Sequence, residues 1–354
     1  MTATPHSPAK SAVRVAPGEG RGEGTLTRRA FLLASASALL LAACGGTQAA
    51  APAASKPPQK LRFVSWSTPR AEQANLFAAQ DLGYYAQQGI DFEYRPGSGS
   101  GEALKQILAG NGDVAFVGPE AMYFTADQGG DAVGIYNIYP QSLFVLLSWP
   151  ESGIRKPADL KGKTIGVLSL ASGSRYNVMS ILALNGLKES DVTLVATGPA
   201  PAAFLEHKVD AWSSLTTTAA ELERQTGRTF DKMLARDYLN LPTDLLATTR
   251  DIFTKQQDLL VRFLRALRQG TQYMIDHPAE AAIIAVKTAQ DIKDPAQAET
   301  VIRAFGEASQ SPQGLGPFDV GILQRGADAY QQAGLITTKV DVSHYFSNDL
   351  VAKL

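Results

Sequence analysis

Short apolar strands alternate with amphipathic helices twice along this chain, and that alternation restricts its fold more than any other feature. The first series opens at 61–66, where Leu61, Phe63 and Ser65 alternate with Arg62, Val64 and Trp66. Helical spacing follows over 71–82 and Gly83 stops it. Residues 90–94 read as a second strand, 102–109 as a helix and 113–117 as a third strand, from which Gly118-Pro119 turns into a helix over 120–127. Such alternation predicts an α/β chain with mainly parallel sheets and right-handed crossovers.

The second series begins after an apolar strand at 143–148 and a polar, turn-rich stretch to residue 163. Strands are expected at 164–168, 192–195 and 209–212, with helices at 174–184, 200–207 and 217–225. Asn111-Gly112-Asp113-Val114-Ala115 and His207-Lys208-Val209-Asp210-Ala211 echo each other. Each takes a helix end through a tight polar turn into a short strand. Two similar lobes fit this echo, with 245–249 as a return strand to the first. The rest reads as helices at 251–275, 278–289, 295–309, 319–333 and 343–354, completing the first lobe.

The amino-terminal region reads as an export segment. Thr27-Arg28-Arg29 precedes an apolar run over 33–43, too short to span a bilayer, which takes ~20 residues. Paired arginines before such a run resemble a twin-arginine signal. Leu41-Ala42-Ala43-Cys44-Gly45 resembles a bacterial lipobox, which implies cleavage before Cys44 and its acylation. Each buried acyl methylene adds ~0.8 kcal/mol of membrane affinity, so two or three chains anchor stably. The expected organisation is a signal at 1–43, a flexible tether at 44–59, one lobe from 60–145 with 243–354, and a second from 146–242.

Composition narrows the partners. The chain has 33 Lys plus Arg against 34 Asp plus Glu, a balance that argues against nucleic acid. A single cysteine excludes an internal disulfide and a thiolate metal cluster, and the four histidines lack ligand spacing. No metal or cofactor is expected, and the protein is expected to act as a monomer. Gly162-Lys163-Thr164 fails as a phosphate loop, because position 157 is proline and the tripeptide precedes its strand. Gly97-Ser98-Gly99-Ser100-Gly101 meets neither the dinucleotide pattern, having Glu102, nor a nucleophile elbow, having Gly99 at the serine position.

Ligands on parallel sheets bind beyond the carboxyl ends of the strands. Those ends carry Ser65 and Trp66, then Gly99 and Ser100, then Gly118 and Glu120 in the first lobe. In the second they carry Ser172, Gly173, Ser174, Arg175 and Trp212. Ser172 and Ser174 are good helix N-cap types, whose hydroxyls can accept from first-turn N–H groups. Either tryptophan could stack on a ring or fill the core. Arg175 could pair with an anion or lie solvated on its helix. Tyr139, Gln141 and Asp244 flank the expected crossings, and Asp244 could accept from an amino group or cap local backbone.

Ala79-Gln80-Asp81-Leu82-Gly83-Tyr84-Tyr85-Ala86-Gln87-Gln88-Gly89-Ile90-Asp91, Leu108-Ala109-Gly110-Asn111-Gly112-Asp113-Val114-Ala115, Ser152-Gly153-Ile154-Arg155-Lys156-Pro157-Ala158-Asp159-Leu160-Lys161-Gly162-Lys163-Thr164-Ile165-Gly166-Val167 and Val209-Asp210-Ala211-Trp212 together resemble solute-binding proteins of bacterial ABC importers. The resemblance is to the nitrate, sulfonate, taurine and thiamine-pyrimidine-precursor type. It implies a two-lobed periplasmic-binding-protein-like fold of type II, each lobe a mixed, mainly parallel sheet flanked by helices. It also implies a small solute in the interlobe cleft and delivery to a membrane permease with its ATPase. The branch resembled most binds the aminopyrimidine precursor of thiamine. Its eukaryotic relatives synthesise that pyrimidine with a cysteine-rich iron site, for which this chain has only Cys44. A binding role rather than catalysis is therefore expected.

Overall fold

The computed structural model describes residues 57–354, apart from 171 and 199. The export signal, Cys44 and the tether as far as residue 56 lie outside the described residues.

Two five-stranded mixed sheets with the same internal pattern form the body. The first takes β1 (Gln59–Ser65), β2 (Ile90–Arg95), β3 (Val114–Val117), β4 (Ala132–Tyr139) and β10 (Asp244–Thr249), in the order β2-β1-β3-β10-β4. The second takes β5 (Phe144–Ser148), β6 (Thr164–Val167), β7 (Thr193–Ala196), β8 (Ala211–Leu215) and β9 (Asp231–Leu234), in the order β7-β6-β8-β5-β9. In each, three strands run parallel and the fourth in order runs antiparallel to both neighbours. That fourth strand is the one entering from the other lobe, β10 in the first sheet and β5 in the second. The two-lobed architecture and the return strand expected from the sequence are both present.

The echoing motifs have one shared physical role. Asp113 Oδ2 accepts from the Arg62 N–H at 2.7 Å while its own N–H donates to Arg62 O at 2.8 Å. Asp210 repeats this on Thr164, with the same two distances. In each lobe an aspartate thus sets the register of its strand against the middle of the three parallel strands, β1 in one sheet and β6 in the other.

Helices cover both faces of each sheet. In the first lobe α1 (Ala74–Asp81), α2 (Tyr84–Gln87), α9 (Gln257–Asp276), α10 (Pro278–Thr288) and α11 (Pro295–Ala308) cover one face, around Phe63, Tyr85, Phe92 and Phe263. The other face carries α3 (Ser100–Leu108), α4 (Pro119–Asp127), α12 (Val320–Gln332) and α13 (Val342–Tyr345), around Leu104, Tyr123, Leu245 and Tyr330. In the second lobe α5 (Gly173–Leu184) packs against Leu146, Ile165 and Ala211. Opposite, α6 (Ala202–Leu205) and α7 (Thr216–Thr226) cover Leu147, Trp149, Phe204 and Trp212. A short α8 (Arg250–Lys255) precedes α9.

The chain crosses between lobes at 140–143 and 235–243, and the crossings are stitched together. Thr243 Oγ1 accepts from the Leu143 N–H at 2.9 Å and donates to Gln141 O at 2.7 Å. Asn240 Oδ1 accepts from the Ser142 N–H at 2.9 Å. The first crossing falls slightly ahead of the 145/146 boundary expected from sequence, since β5 already belongs to the second sheet.

Several elements differ from the sequence reading. Strands β4 and β9 are additional. Every residue of β4 is buried, so it lacks the polar–apolar alternation that marks a half-exposed strand. The helix expected over 251–275 is broken at Gln256, whose φ of −124° lies outside the helical region. The helix expected over 343–354 is interrupted: α13 forms its start and a 3₁₀ turn (Val351–Lys353) its end. Between them Phe346 bridges to Gly134, and the Asn348 side chain is bonded to both the N–H and the carbonyl of Phe318. Among the described residues no helix is long and apolar enough to cross a membrane.

Candidate functional site

Strand register places one rim of residues along the edge of the first sheet. Ser65 pairs with Phe116, Leu245 with Val117, and Asp244 with Tyr139. Ser65, Gly118, Asp244 and Tyr139 are therefore neighbours at one end of the sheet. Phe144 pairs with Leu215 at the matching edge of the second sheet. The two rims face each other. A Cβ placed on Gly173, the first residue of α5, would lie 3.3 Å from Glu120 Oε1 and 3.2 Å from Phe144 Cζ. Phe124 and Tyr176 touch across the gap, ring centres 4.7 Å apart.

Glu120 is the best-placed polar group on this rim. Proline at the first position of α4 starts the helix, and Glu120 follows it. Its carboxyl folds back over Gly118, where a Cβ would stand 2.3 Å from Oε2, so only glycine leaves room. Only 6% of Glu120 is exposed, and burial raises its carboxyl to about 7. Its own backbone N–H and the Ser100 hydroxyl oppose that rise. Ser100 Oγ also accepts from the Gly118 N–H at 3.0 Å, which ties the start of α3 to the start of α4. Gly99 precedes α3 with φ 139°, a backbone that side chains rarely adopt.

Two further buried carboxyls stand along the same rim. Asp244 is 6% exposed and its carboxyl is raised well above the ordinary range, by burial first and then by Glu72 and Glu120. The Trp66 indole lowers it somewhat. Even so, the Trp66 Nε1 has no acceptor within hydrogen-bond geometry and is buried. Glu72, 3% exposed, is raised by burial, against the pull of Arg70 at 3.3 Å. Arg70 is shared with Asp291, at 3.4 Å. Among the described residues no three His, Cys, Asp or Glu side chains converge as metal ligands.

The sequence-predicted residues thus divide. Trp66, Gly99, Ser100, Gly118, Glu120, Gly173 and Asp244 come together. Ser65 lies at the rim but is fully buried, and its hydroxyl is occupied by the Gln73 amide at 2.9 Å and the Ser67 N–H at 3.2 Å. Ser172 holds the N-cap position of α5, but its hydroxyl serves the preceding loop, donating to Ser169 O and accepting from the Ser169 N–H. Ser174 accepts from the Leu168 N–H at 3.0 Å instead of a first-turn N–H. Both serines shape the loop that presents Gly173.

Two predicted side chains are engaged within their own lobe. Arg175 grips Glu189 through two nitrogens, Nη2 donating to both carboxylate oxygens at 2.9 Å and Nε to Oε1 at 3.2 Å, and its guanidinium lies over Tyr176. It braces its own lobe. Trp212 is 2% exposed and packs with Phe204 in the core beneath α6 and α7, on the sheet face away from α5. Gln141 lies at the first crossing and lines a cavity of about 350 Å³ with Asn137, Asn240, Gln310 and Gln313. That cavity, beside the crossings, shares no residue with the carboxyl rim.

Sequence reasoning missed Glu72, Gln73 and Tyr94. Their signal was present: Glu72, Gln73 and Asn75 are three polar residues within an Ala- and Leu-rich helical stretch, and all three are buried. Gln73 connects the Ser65 hydroxyl to the Tyr94 hydroxyl, which donates to its Oε1 at 2.8 Å.

Residues 70–281 match the family described as "NMT1/THI5 like". Among curated proteins, the riboflavin-binding protein RibY of Chloroflexus aurantiacus is 25% identical over 323 residues, 86% of this chain and 91% of that protein. The 4-amino-5-hydroxymethyl-2-methylpyrimidine phosphate synthase THI5 of Saccharomyces cerevisiae is 25% identical over 239 residues, 63% of this chain and 69% of that protein. Among solved structures, the alkanesulfonate-binding protein SsuA of Xanthomonas axonopodis pv. citri, bound to MOPS, is 20% identical with a TM-score of 0.64, covering 83% and 99% of the two chains. The periplasmic aliphatic sulphonate-binding protein SsuA of Escherichia coli is 18% identical with a TM-score of 0.62, covering 82% and 92%. Matched over well more than half its length, and built as two facing lobes, the chain belongs to the NMT1/THI5-like family and has the periplasmic-binding-protein fold.

Proposed function

We propose that the protein is the extracytoplasmic receptor of an ABC importer, held to the membrane through Cys44. It captures a flat, nitrogen-rich heteroaromatic solute between its lobes and delivers it to a permease. The aminopyrimidine precursor of thiamine is the leading solute. The observation that carries the reading is the facing of Glu120 and Asp244, on the first lobe, with the start of α5 on the second. Buried carboxyls accept from ring amino groups, and the half-buried Trp66 offers an indole face and an uncommitted N–H. Binding rather than catalysis is supported by the similarity to the riboflavin-binding protein RibY over most of both chains. Riboflavin is the second solute, supported by the similarity to RibY over nearly the whole of that protein.

Closure follows from differential affinity. A solute that touches Glu120 and the α5 start together is fully bound only when the lobes are shut, so it raises the shut population. A thermal-shift panel with 4-amino-5-hydroxymethyl-2-methylpyrimidine, riboflavin, taurine and nitrate tests the reading. The pyrimidine or riboflavin at 100 times its dissociation constant should add about 2.7 kcal/mol of stability. Trp66→Ala should weaken that ligand at least tenfold. Stabilisation by taurine or nitrate alone would refute the solute class.

A further inference from the structure

We propose that closure of the lobes takes up a proton at Glu120, so that the receptor shuts more readily, and holds its solute more tightly, as pH falls. The inference rests on the receptor reading above and adds a proton to its closure step.

Glu120 stands where the lobes meet. Its carboxyl belongs to the first lobe, and Gly173 of α5 covers it from the second, so close that a Cβ there would lie 3.3 Å from Oε1. Phe144 of β5 flanks the same glycine, 3.2 Å from that Cβ. One turn along α5, the Tyr176 ring meets Phe124 of α4, centres 4.7 Å apart, and Tyr330 of α12 at 6.5 Å. The cover from the second lobe is therefore glycine backbone and aromatic ring. The titratable groups that face Glu120 are Asp244 from β10, Tyr123 on its own helix, Tyr176 on α5 and Tyr330 on α12. None of these is cationic, and Arg175, beside Tyr176, is held by Glu189. A carboxylate covered here loses water and gains no counter-charge, whereas a carboxylic acid avoids that cost.

The two donors that stabilise its charged form, its own N–H and the Ser100 hydroxyl, both belong to the first lobe and stay when the lobes part. Opening removes only the cover, and the carboxyl returns toward the ordinary range. Glu72 and Asp244 lack this coupling: the groups that face them are Trp66, Arg70, Glu120, Tyr139 and Asp291, all of the first lobe. With the rims in contact, burial brings Glu120 to about 7, against 4.5 for an open carboxyl. The raised value favours the shut form fully below about 4.5, and that advantage is lost as pH rises through about 7. Complete exposure on opening would raise the shut-to-open ratio about thirtyfold from pH 8.5 to pH 5.5.

The test reads interlobe distances without solute, in the full chain with Cys44 replaced by serine and spin labels at Glu102 and Leu170, across pH 5.5 to 8.5. With Glu120 intact, the shut-to-open ratio should rise at least tenfold as pH falls. Glu120→Gln keeps the shape without the charge, so its ratio should match the acid value at every pH. If Glu120→Gln fails to fold, Ser100→Ala takes its place: losing a donor to the carboxylate should move the midpoint of closure to higher pH. A ratio that ignores pH with Glu120 intact overturns the proposal. So does a folded Glu120→Gln that keeps the pH response, or a Ser100→Ala midpoint that does not move. In each of these cases the receptor reading stands if riboflavin or 4-amino-5-hydroxymethyl-2-methylpyrimidine still shortens the distances. No shortening at any pH, with or without those two probes, overturns both.

Discussion

At the scale of single residues, the three rim carboxyls explain more than the aromatic side chains do. Glu72, Glu120 and Asp244 are each raised above the ordinary carboxylate range, first of all by burial. The sign for stability follows. The folded Glu120 carboxyl titrates near 7 and the unfolded one near 4.5, so between those values the folded state holds more protons. Stability from this group is complete below about 4.5 and is lost as pH rises through about 7. The full effect is about 3 kcal/mol. Glu72 and Asp244 act in the same direction. Glu93 and Glu221 are lowered to about 2 and act only in acid, outside this window. The melting temperature should therefore fall from pH 5.5 to pH 8.5, and Glu120→Gln should flatten that fall, as a pH series of thermal melts will read. An equal slope in the variant would remove Glu120 as its source.

At the scale of elements, sequence patterning located the strands that set the rims but not the faces their residues present. Glu120, Gly118 and Asp244 were legible because each stands at a strand end where the chain turns. Trp212 also stands on a strand at that edge. Side chains alternate across a sheet, however, and Ala211 points toward α5 while Trp212 points to α7. Only a residue of known register has a known face. Trp212→Ala should therefore cost ~3–5 kcal/mol by emptying the core, with solute affinity per folded molecule unchanged within threefold. Denaturant unfolding together with calorimetry separates the two effects. A large affinity loss in a stable Trp212→Ala protein would return that side chain to the site. Strand β4 was illegible for the opposite reason, burial on both faces. Arg175 could not be assigned before Glu189 was seen fourteen residues away on the next turn of the lobe.

At the scale of the whole molecule, the two lobes are copies of one plan, down to the paired aspartates Asp113 and Asp210 that set strand register. Each lends the other one antiparallel strand, and Thr243 ties the two crossings into a single hinge. On the receptor reading proposed above, the angle between the lobes is the freedom that a guest at the rims would bias. The most direct measurement is a distance distribution between spin labels at exposed Glu102 and Leu170, one on each lobe, with Cys44 replaced by serine. Without solute the account predicts a broad distribution reaching long distances. Saturation with 4-amino-5-hydroxymethyl-2-methylpyrimidine or riboflavin, whichever binds, should collapse it to one short distance. Identical distributions with and without bound solute would contradict capture between the lobes.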